Sequence, residues 1–236
     1  RSWQNLATGL SQVYDMVVYQ CRLIVAGQFT QVGTLPVNSI AAWDGANWYP
    51  LAQGVVGTVY ALAVHNGLLY AGGMFQTAGS LSNVNNLAAW NGSSWLQVDN
   101  GVTGTTGAYV TALLSTSSGL VVGGNFQTAG STSNLPCQNI ALWNGAAFVN
   151  NYNATFNGPI YTLGEYGGQL VAGGTFTTPY LNIASWNGSA WNPLSGGITL
   201  FYQIPYNGVA SQIDYGGALI VGGHYKHADN VSTTQN

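Results

Sequence analysis

Charge is what this chain has least of. Lys and Arg number 3 in 236 residues, Asp and Glu number 6, and 4% of residues are charged, against about 25% in an average soluble domain. Affinity for nucleic acid comes mainly from counterions released by many cationic side chains. Three cations cannot supply it, so a nucleic-acid partner is excluded. Long apolar runs are also missing: the longest, near Leu23–Ala26 and Ala218–Val221, end in glycine, far short of the roughly 18 residues that mark a membrane helix. No membrane span is expected. There is no initiator Met and no basic-then-apolar leader, so the sequence is read as starting after processing or as part of a longer chain. Few charges and many Gly and Ser would also fit disorder, but 8 Trp, 14 Tyr and 47% hydrophobic content provide a core and exclude it.

What the chain does have is a repeat. Fourteen residues separate Val13 from Gly27, Val59 from Gly73, Val110 from Gly124, Ile160 from Gly174 and Val209 from Gly223. Successive units start 46, 51, 50 and 49 residues apart. A period of that length built from short strands predicts an all-β chain, a β-propeller with one four-stranded antiparallel blade per unit. Residues 1–236 are read as one such domain with about five units visible.

The second unit shows the pattern. Val59–Val64 reads as a strand, with small Ala61 and Ala63 opposite Tyr60, Leu62 and Val64. Asn66-Gly67 supplies the left-handed backbone of a two-residue hairpin, and Leu68–Ala71 returns, ending at Gly72-Gly73. Asn86–Trp90 forms a third strand, Asn91-Gly92 a second tight turn, and Ser94–Val98 a fourth strand. An aromatic pair brackets each later turn: Trp43 and Trp48, Trp90 and Trp95, Trp143 and Phe148, Trp186 and Trp191. Pairs that keep repeat register are read as packing between strands and blades. Arg1-Ser2-Trp3 aligns with a fourth strand and Gln235-Asn236 with the start of a third. One blade is therefore read as incomplete, with continuation of the polypeptide expected and a strand donated by another chain as the alternative.

The run Leu69–Gly79, Leu-Tyr-Ala-Gly-Gly-Met-Phe-Gln-Thr-Ala-Gly, followed by Asn86–Trp95, resembles the repeat of secreted kelch-like propellers. It is also similar to repeats in fungal cortical polarity-marker ectodomains and in large bacterial surface proteins. The resemblance covers almost the whole chain and is specific for architecture. It implies a surface or adhesive protein and brings no catalytic residues to carry over. The fourth unit departs from it, since Phe176–Asn182 lacks the Ala-Gly seen at Ala78-Gly79 and Ala129-Gly130.

Chemistry-bearing residues are sparse. A sialidase-like site needs an arginine cluster, and the only arginines are Arg1 and Arg22. His224 and His227 flank the aromatic position of the last unit, while His65 sits at a hairpin. They read as loop histidines, so no metal and no cofactor is expected. The acids Asp15, Glu165 and Asp214 fall on or near first strands without a calcium-loop pattern, and they form no acid/base pair of the kind catalysis needs. Cys21 belongs to a first-to-second strand loop and Cys137 to a second-to-third strand loop two units away, so they are expected not to pair with each other.

Asn91, Asn153, Asn187 and Asn230 each begin an Asn-x-Ser/Thr acceptor for N-glycosylation. Attached glycans would hydrate a surface that lacks charge. The reading is a non-catalytic extracellular glycoprotein, a structural or protein-interaction subunit of a surface filament, appendage or matrix. Its partners would be other subunits, itself included. Phe201, Tyr202 and Tyr206, outside the repeat register in the longest insertion, are the candidate partner loop. The alternative is a carbohydrate-binding propeller, for which the recurring Gln28, Gln76 and Gln127 would supply polar contacts.

Overall fold

Strand-forming β-branched and aromatic residues recur between Gly, Asn and Ser turns, and the chain folds accordingly. The computed structural model describes residues 7–105, 107–131, 135–153, 156–194, 198–199, 208–224 and 227–228. Among the described residues there is no helix, and every strand pair is antiparallel.

Four sheets repeat one topology, each with four principal strands hydrogen-bonded in chain order. Sheet 1 comprises Gln12–Tyr19, Arg22–Gln28, Ile40–Trp43 and Trp48–Pro50. Sheet 2 comprises Val55–His65, Leu68–Ala78, Leu87–Trp90 and Trp95–Gln97, with the short strand Leu81–Ser82 added to its second strand. Sheet 3 comprises Tyr109–Thr116, Gly119–Asn125, Ile140–Trp143 and Phe148–Val149. Sheet 4 comprises Ile160–Tyr166, Gln169–Gly174, Ile183–Trp186 and Trp191–Pro193. Sheet 5 is described as the pair Gly208–Tyr215 and Ala218–His224. First strands of successive sheets touch in chain order, sheet 1 to 2, 2 to 3, 3 to 4 and 4 to 5.

The fourteen-residue spacing is a cross-strand pair. Val13 lies opposite Gly27, Val59 opposite Gly73, Val110 opposite Gly124, Ile160 opposite Gly174 and Val209 opposite Gly223. In all five sheets the register slips immediately afterwards, a β-bulge in the first strand. The bulge drives the preceding first-strand carbonyl into the second strand. A Cβ at Gly27, Gly73, Gly124, Gly174 or Gly223 would collide with the carbonyl oxygen of Gln12, Thr58, Tyr109, Pro159 or Gly208. Steric room, not left-handed backbone, fixes glycine at these five positions.

The bulge also corrects the alternation expected for Val59–Val64. Tyr60 is the extra residue, so Val59 and Leu62 share one face, buried against sheet 1, while Ala63 packs toward sheet 3. Nor does the second strand end at Gly72-Gly73: it runs through both glycines to Ala78. The hairpin at Asn66-Gly67 has φ of +49° and +77°, as a two-residue turn requires. The turn at Asn91-Gly92 is different. Trp90 pairs with Trp95, so the loop spans four residues, closed by the Asn91 side-chain oxygen accepting from the backbone N–H of Ser93 and Ser94 at 2.9 Å each. Asp44, Asn144 and Asn187 close equivalent loops in the same way.

Core clusters lie between sheets. Tyr19, Ile24, Ala26 and Ile40 of sheet 1 pack with Val59, Leu62, Leu69 and Ala71 of sheet 2. Further clusters join sheet 2 to sheet 3 and sheet 3 to sheet 4, and Val171 and Ile183 of sheet 4 meet Val209 of sheet 5. Complete burial of a Val or Ile side chain contributes about 1.5–3 kcal/mol, and Val59, Val110, Ile160 and Val209 are each 0% exposed.

Candidate functional site

Just before each third strand the chain enters left-handed conformation at Ser39, Asn86, Asn139 and Asn182, with φ of +58°, +72°, +70° and +62°. Asparagine tolerates that region better than most residues, and all four are buried. Asn86 Oδ1 accepts from Phe75 N–H at 3.1 Å, while its Nδ2 donates to Val102 O at 3.1 Å. Asn139 Oδ1 accepts from Phe126 N–H at 2.9 Å, and its Nδ2 donates to Phe156 O and Gly158 O at 3.0 Å each. The Ser39 hydroxyl donates to Gly57 O. The Ser39, Asn86 and Asn139 side chains bind one sheet to the next or to the chain entering it. The sequence marks all four positions only as a Ser or Asn four residues before the Trp that ends each third strand, Trp43, Trp90, Trp143 or Trp186, a signal that Asn-rich loops obscure.

Other polar groups serve the same joints. Trp95 Nε1 donates to Leu51 O and Trp191 Nε1 to Tyr152 O, both at 3.0 Å. Asp15 Oδ2 accepts from Leu62 N–H of sheet 2 at 2.7 Å, and Oδ1 accepts from Met16 N–H at 2.7 Å. Burial pushes the Asp15 carboxyl above its ordinary value, and these two N–H bonds only partly offset the shift. Asp44 moves the other way, held below the ordinary range chiefly by the N–H groups of Asn47 and Ala46.

The aromatic pairs pack. Ring centroids lie 5.3 Å apart for Trp43–Trp48, 5.5 Å for Trp90–Trp95, 5.3 Å for Trp143–Phe148 and 5.6 Å for Trp186–Trp191. Tyr14, Tyr60 and Tyr109 make a second row across sheets 1 to 3, with centroid separations of 5.2 and 6.3 Å. The alternation reading missed this row because two of its members occupy the bulges.

Two repeat-related grooves run between sheets 1 and 2 and between sheets 2 and 3, with cavity volumes of about 650 and 630 Å³. Gln28, Phe29 and Asn38 line the first, and Gln76, Phe75 and Asn85 the second. Phe29 and Phe75 are 3% exposed, so neither presents a ring face to a ligand. Asn38 and Asn85 donate to Gln53 O and Asn100 O. Gln127 Oε1 accepts from Thr105 N–H at 3.2 Å, a structural use of the third recurring glutamine.

One imidazole meets a hydroxyl: His65 Nδ1 lies 2.9 Å from Ser115 Oγ, and His65 Nε2 lies 3.1 Å from Asn66 Nδ2. With the Asn66 amide donating to Nε2, Nδ1 carries the proton and donates to Ser115. The hydroxyl is then not activated as a nucleophile. The contact ties the hairpin of sheet 2 to that of sheet 3. Among the described residues no three His, Cys, Asp or Glu side chains gather to hold a metal ion, and no helix is long and apolar enough to cross a membrane.

Asn91 and Asn187 occupy exposed loop tips, and in each the acceptor serine Oγ donates to the asparagine Oδ1, at 2.9 and 3.0 Å. Asn153 is exposed with φ of +40°. Asn230, Phe201, Tyr202 and Tyr206 lie outside the described residues, as do 1–6 and 229–236. Cys21 is exposed in the first hairpin and Cys137 is buried just before a third strand; neither is bridged. Burial pushes the Cys137 thiol up to about 12.

No known protein family matches the chain, and no curated protein matches it. Among solved structures it is similar to the computationally designed Ika8 protein, with TM-score 0.52 and 12% identity over 92% of this chain and 57% of that one. It also matches the computationally designed Ika4 protein, with TM-score 0.45 and 13% identity over 78% of this chain and 98% of that one. The likeness to Ika8 is one of fold alone.

Proposed function

We propose that the five sheets are successive blades of a β-propeller and that the chain is a non-catalytic extracellular glycoprotein, a structural or protein-interaction subunit of a surface filament, appendage or matrix. The observation that carries this reading is where the polar side chains are directed. Ser39, Asn86, Asn139, Asp15, Trp95 and Trp191 all bond to the backbone of a neighbouring sheet or of the segment that links two sheets. The sequence has invested its hydrogen-bonding groups in holding sheets together. The resemblance to secreted surface repeats supports the same location. Glycans on exposed Asn91, Asn153 and Asn187 supply the hydration that 4% charged residues do not. Its partners are other subunits, copies of itself included.

The carbohydrate-binding alternative draws on the two repeated grooves, but a sugar platform needs an exposed ring, and Phe29 and Phe75 are buried. The reading is tested by glycopeptide mass spectrometry and immunolabelling of protein from its native source. Hexose-bearing peptides at two or more acceptors and label on an extracellular assembly are expected; unmodified protein confined inside cells would refute it. A glycan array is expected to show no binding, and a specific sugar signal would favour the alternative.

A further inference from the structure

Each joint between sheets is built from two matching half-surfaces. The forward half is a first strand: Val59 and Leu62 in sheet 2, 0% and 6% exposed, with Val64 beside them. The receiving half belongs to the sheet before: Val17, Tyr19, Ile24 and Ala26 in sheet 1. The small residue in the receiving half admits the branched one. A Cβ on Gly72, Gly123 or Gly173 would strike Val110, Ile160 or Val209 of the next sheet.

Among the described residues one copy of each half is left uncovered. In sheet 1 the residues in register with Val59, Leu62 and Val64 are Val13, Met16 and Val18, and they are 40%, 59% and 67% exposed. Behind this strip Val25 and Ala41 are buried, so the open part is the first strand, the element through which the sheets touch. In sheet 5 the residues in register with Val17, Tyr19, Ile24 and Ala26 are Ile213, Tyr215, Ile220 and Gly222. The three large ones are 63%, 76% and 51% exposed, and a Cβ on Gly222 would approach no side chain but that of Ser211 in its own sheet. A repeated hydrogen bond marks the same absence. Tyr19 Oη donates to Gly67 O at 3.1 Å and Tyr166 Oη to Gly217 O at 3.2 Å, each reaching the first hairpin of the following sheet. Tyr215 is the next tyrosine in this series, and the hairpin position matching Gly67 in sheet 1 is Cys21.

We propose that sheet 5 of one copy docks on sheet 1 of a second copy, Ile213, Tyr215 and Ile220 covering Val13, Met16 and Val18, with Tyr215 Oη donating to Cys21 O. The contact continues the interface that already joins sheet to sheet inside the chain. It is heterologous: every copy offers a forward half at one end and a receiving half at the other, so association propagates head to tail into a ring or a filament. The inference rests on the structural-subunit reading and names its partner.

Sedimentation of the 236-residue chain tests it with two variants at exposed positions, Met16→Asp and Ile213→Asp. Wild type is expected to sediment as two or more copies, each variant as one copy, and an equimolar mixture of the variants as two copies, because it retains one intact half from each. A single-copy wild type, variants that still associate, a mixture that stays single, or native-source protein in which further polypeptide of the same chain shields Met16 and Ile213 would overturn the docking. Circular dichroism separates misfolding from lost contact, and should one variant misfold, Val18→Lys or Ile220→Lys replaces it on the same half. Glycan occupancy and location are measured independently. A glycosylated, extracellular protein that stays single defeats the docking alone, and an unmodified intracellular protein that associates defeats the functional reading alone.

Discussion

Asp15 is a carboxylate placed where its charge is costly. Its carboxyl is raised from the ordinary 3.8 mainly by burial, so the folded chain holds this proton more tightly than the unfolded one. Its stabilising share is therefore fully present below 3.8 and lost as pH rises through the raised folded value. Asp15→Asn has no such dependence. The unfolding midpoint of Asp15→Asn in urea is expected to gain on wild type between pH 3 and neutrality, and a gap independent of pH would contradict the assignment. At the first hairpin, Gln20 and Cys21 adopt φ of +48° and +59°, where two other hairpins use Gly167-Gly168 and Gly216-Gly217. A side chain in left-handed backbone costs roughly 1–2 kcal/mol, offset in part by the freedom glycine adds to the unfolded state. Cys21→Gly is expected to stabilise by about 0.5–1 kcal/mol, read from the same denaturation curves. Cys137, buried and with its thiol pushed up to about 12, is expected to resist maleimide until the chain unfolds.

Between strands, the bulge and its opposing glycine set the geometry of each sheet. Gly124→Ala drives a methyl group into Tyr109 O and is expected to destabilise by roughly 2–4 kcal/mol. Gly145→Ala, in a loop with open space around its Cβ but φ of +97°, is expected to cost about 1–2 kcal/mol. Thermal melts of the two variants rank these effects. The fourteen-residue register was legible in the sequence because steric exclusion leaves only glycine at one end and burial demands an aliphatic residue at the other. The bulge itself was not, since it is a property of pairing, and without it Tyr60 falls on the wrong face. The Asn-Gly motif likewise serves two turns: at Asn66 it supplies two left-handed residues, and at Asn91 its side chain closes a four-residue loop. Only the cross-strand partner distinguishes them. Asn86 and Asn139 escaped notice for a related reason: a buried joint asparagine and a loop asparagine are the same letter.

Across the whole molecule, stability is the sum of sheets and the joints between them. Sheets 2 and 3 have a described neighbour on both sides, whereas sheet 5 leaves Ile213, Tyr215 and Ile220 open. Hydrogen exchange of the single-copy Met16→Asp variant is therefore expected to be slowest at the amides of Leu69–Ala71 and Leu120–Val122 and fastest at those of Leu219–Val221. Uniform protection would show that the chain opens as one unit. Ile160→Ala, at a joint where the residue is 0% exposed, is expected to cost about 2–5 kcal/mol and to raise exchange on both sides of it. The lengths between units vary while the branched residue at the head of each described joint, Val59, Val110, Ile160 or Val209, keeps its place opposite a glycine and is 0% exposed. A hybrid chain in which one unit replaces another, cut at the same bulge, keeps that branched residue and its glycine, yet the fifth unit brings Gln212 and Asp214 where the second has Leu62 and Val64. The molecule is thus a row of units cut to one backbone plan, each with side chains fitted to its own place in the row.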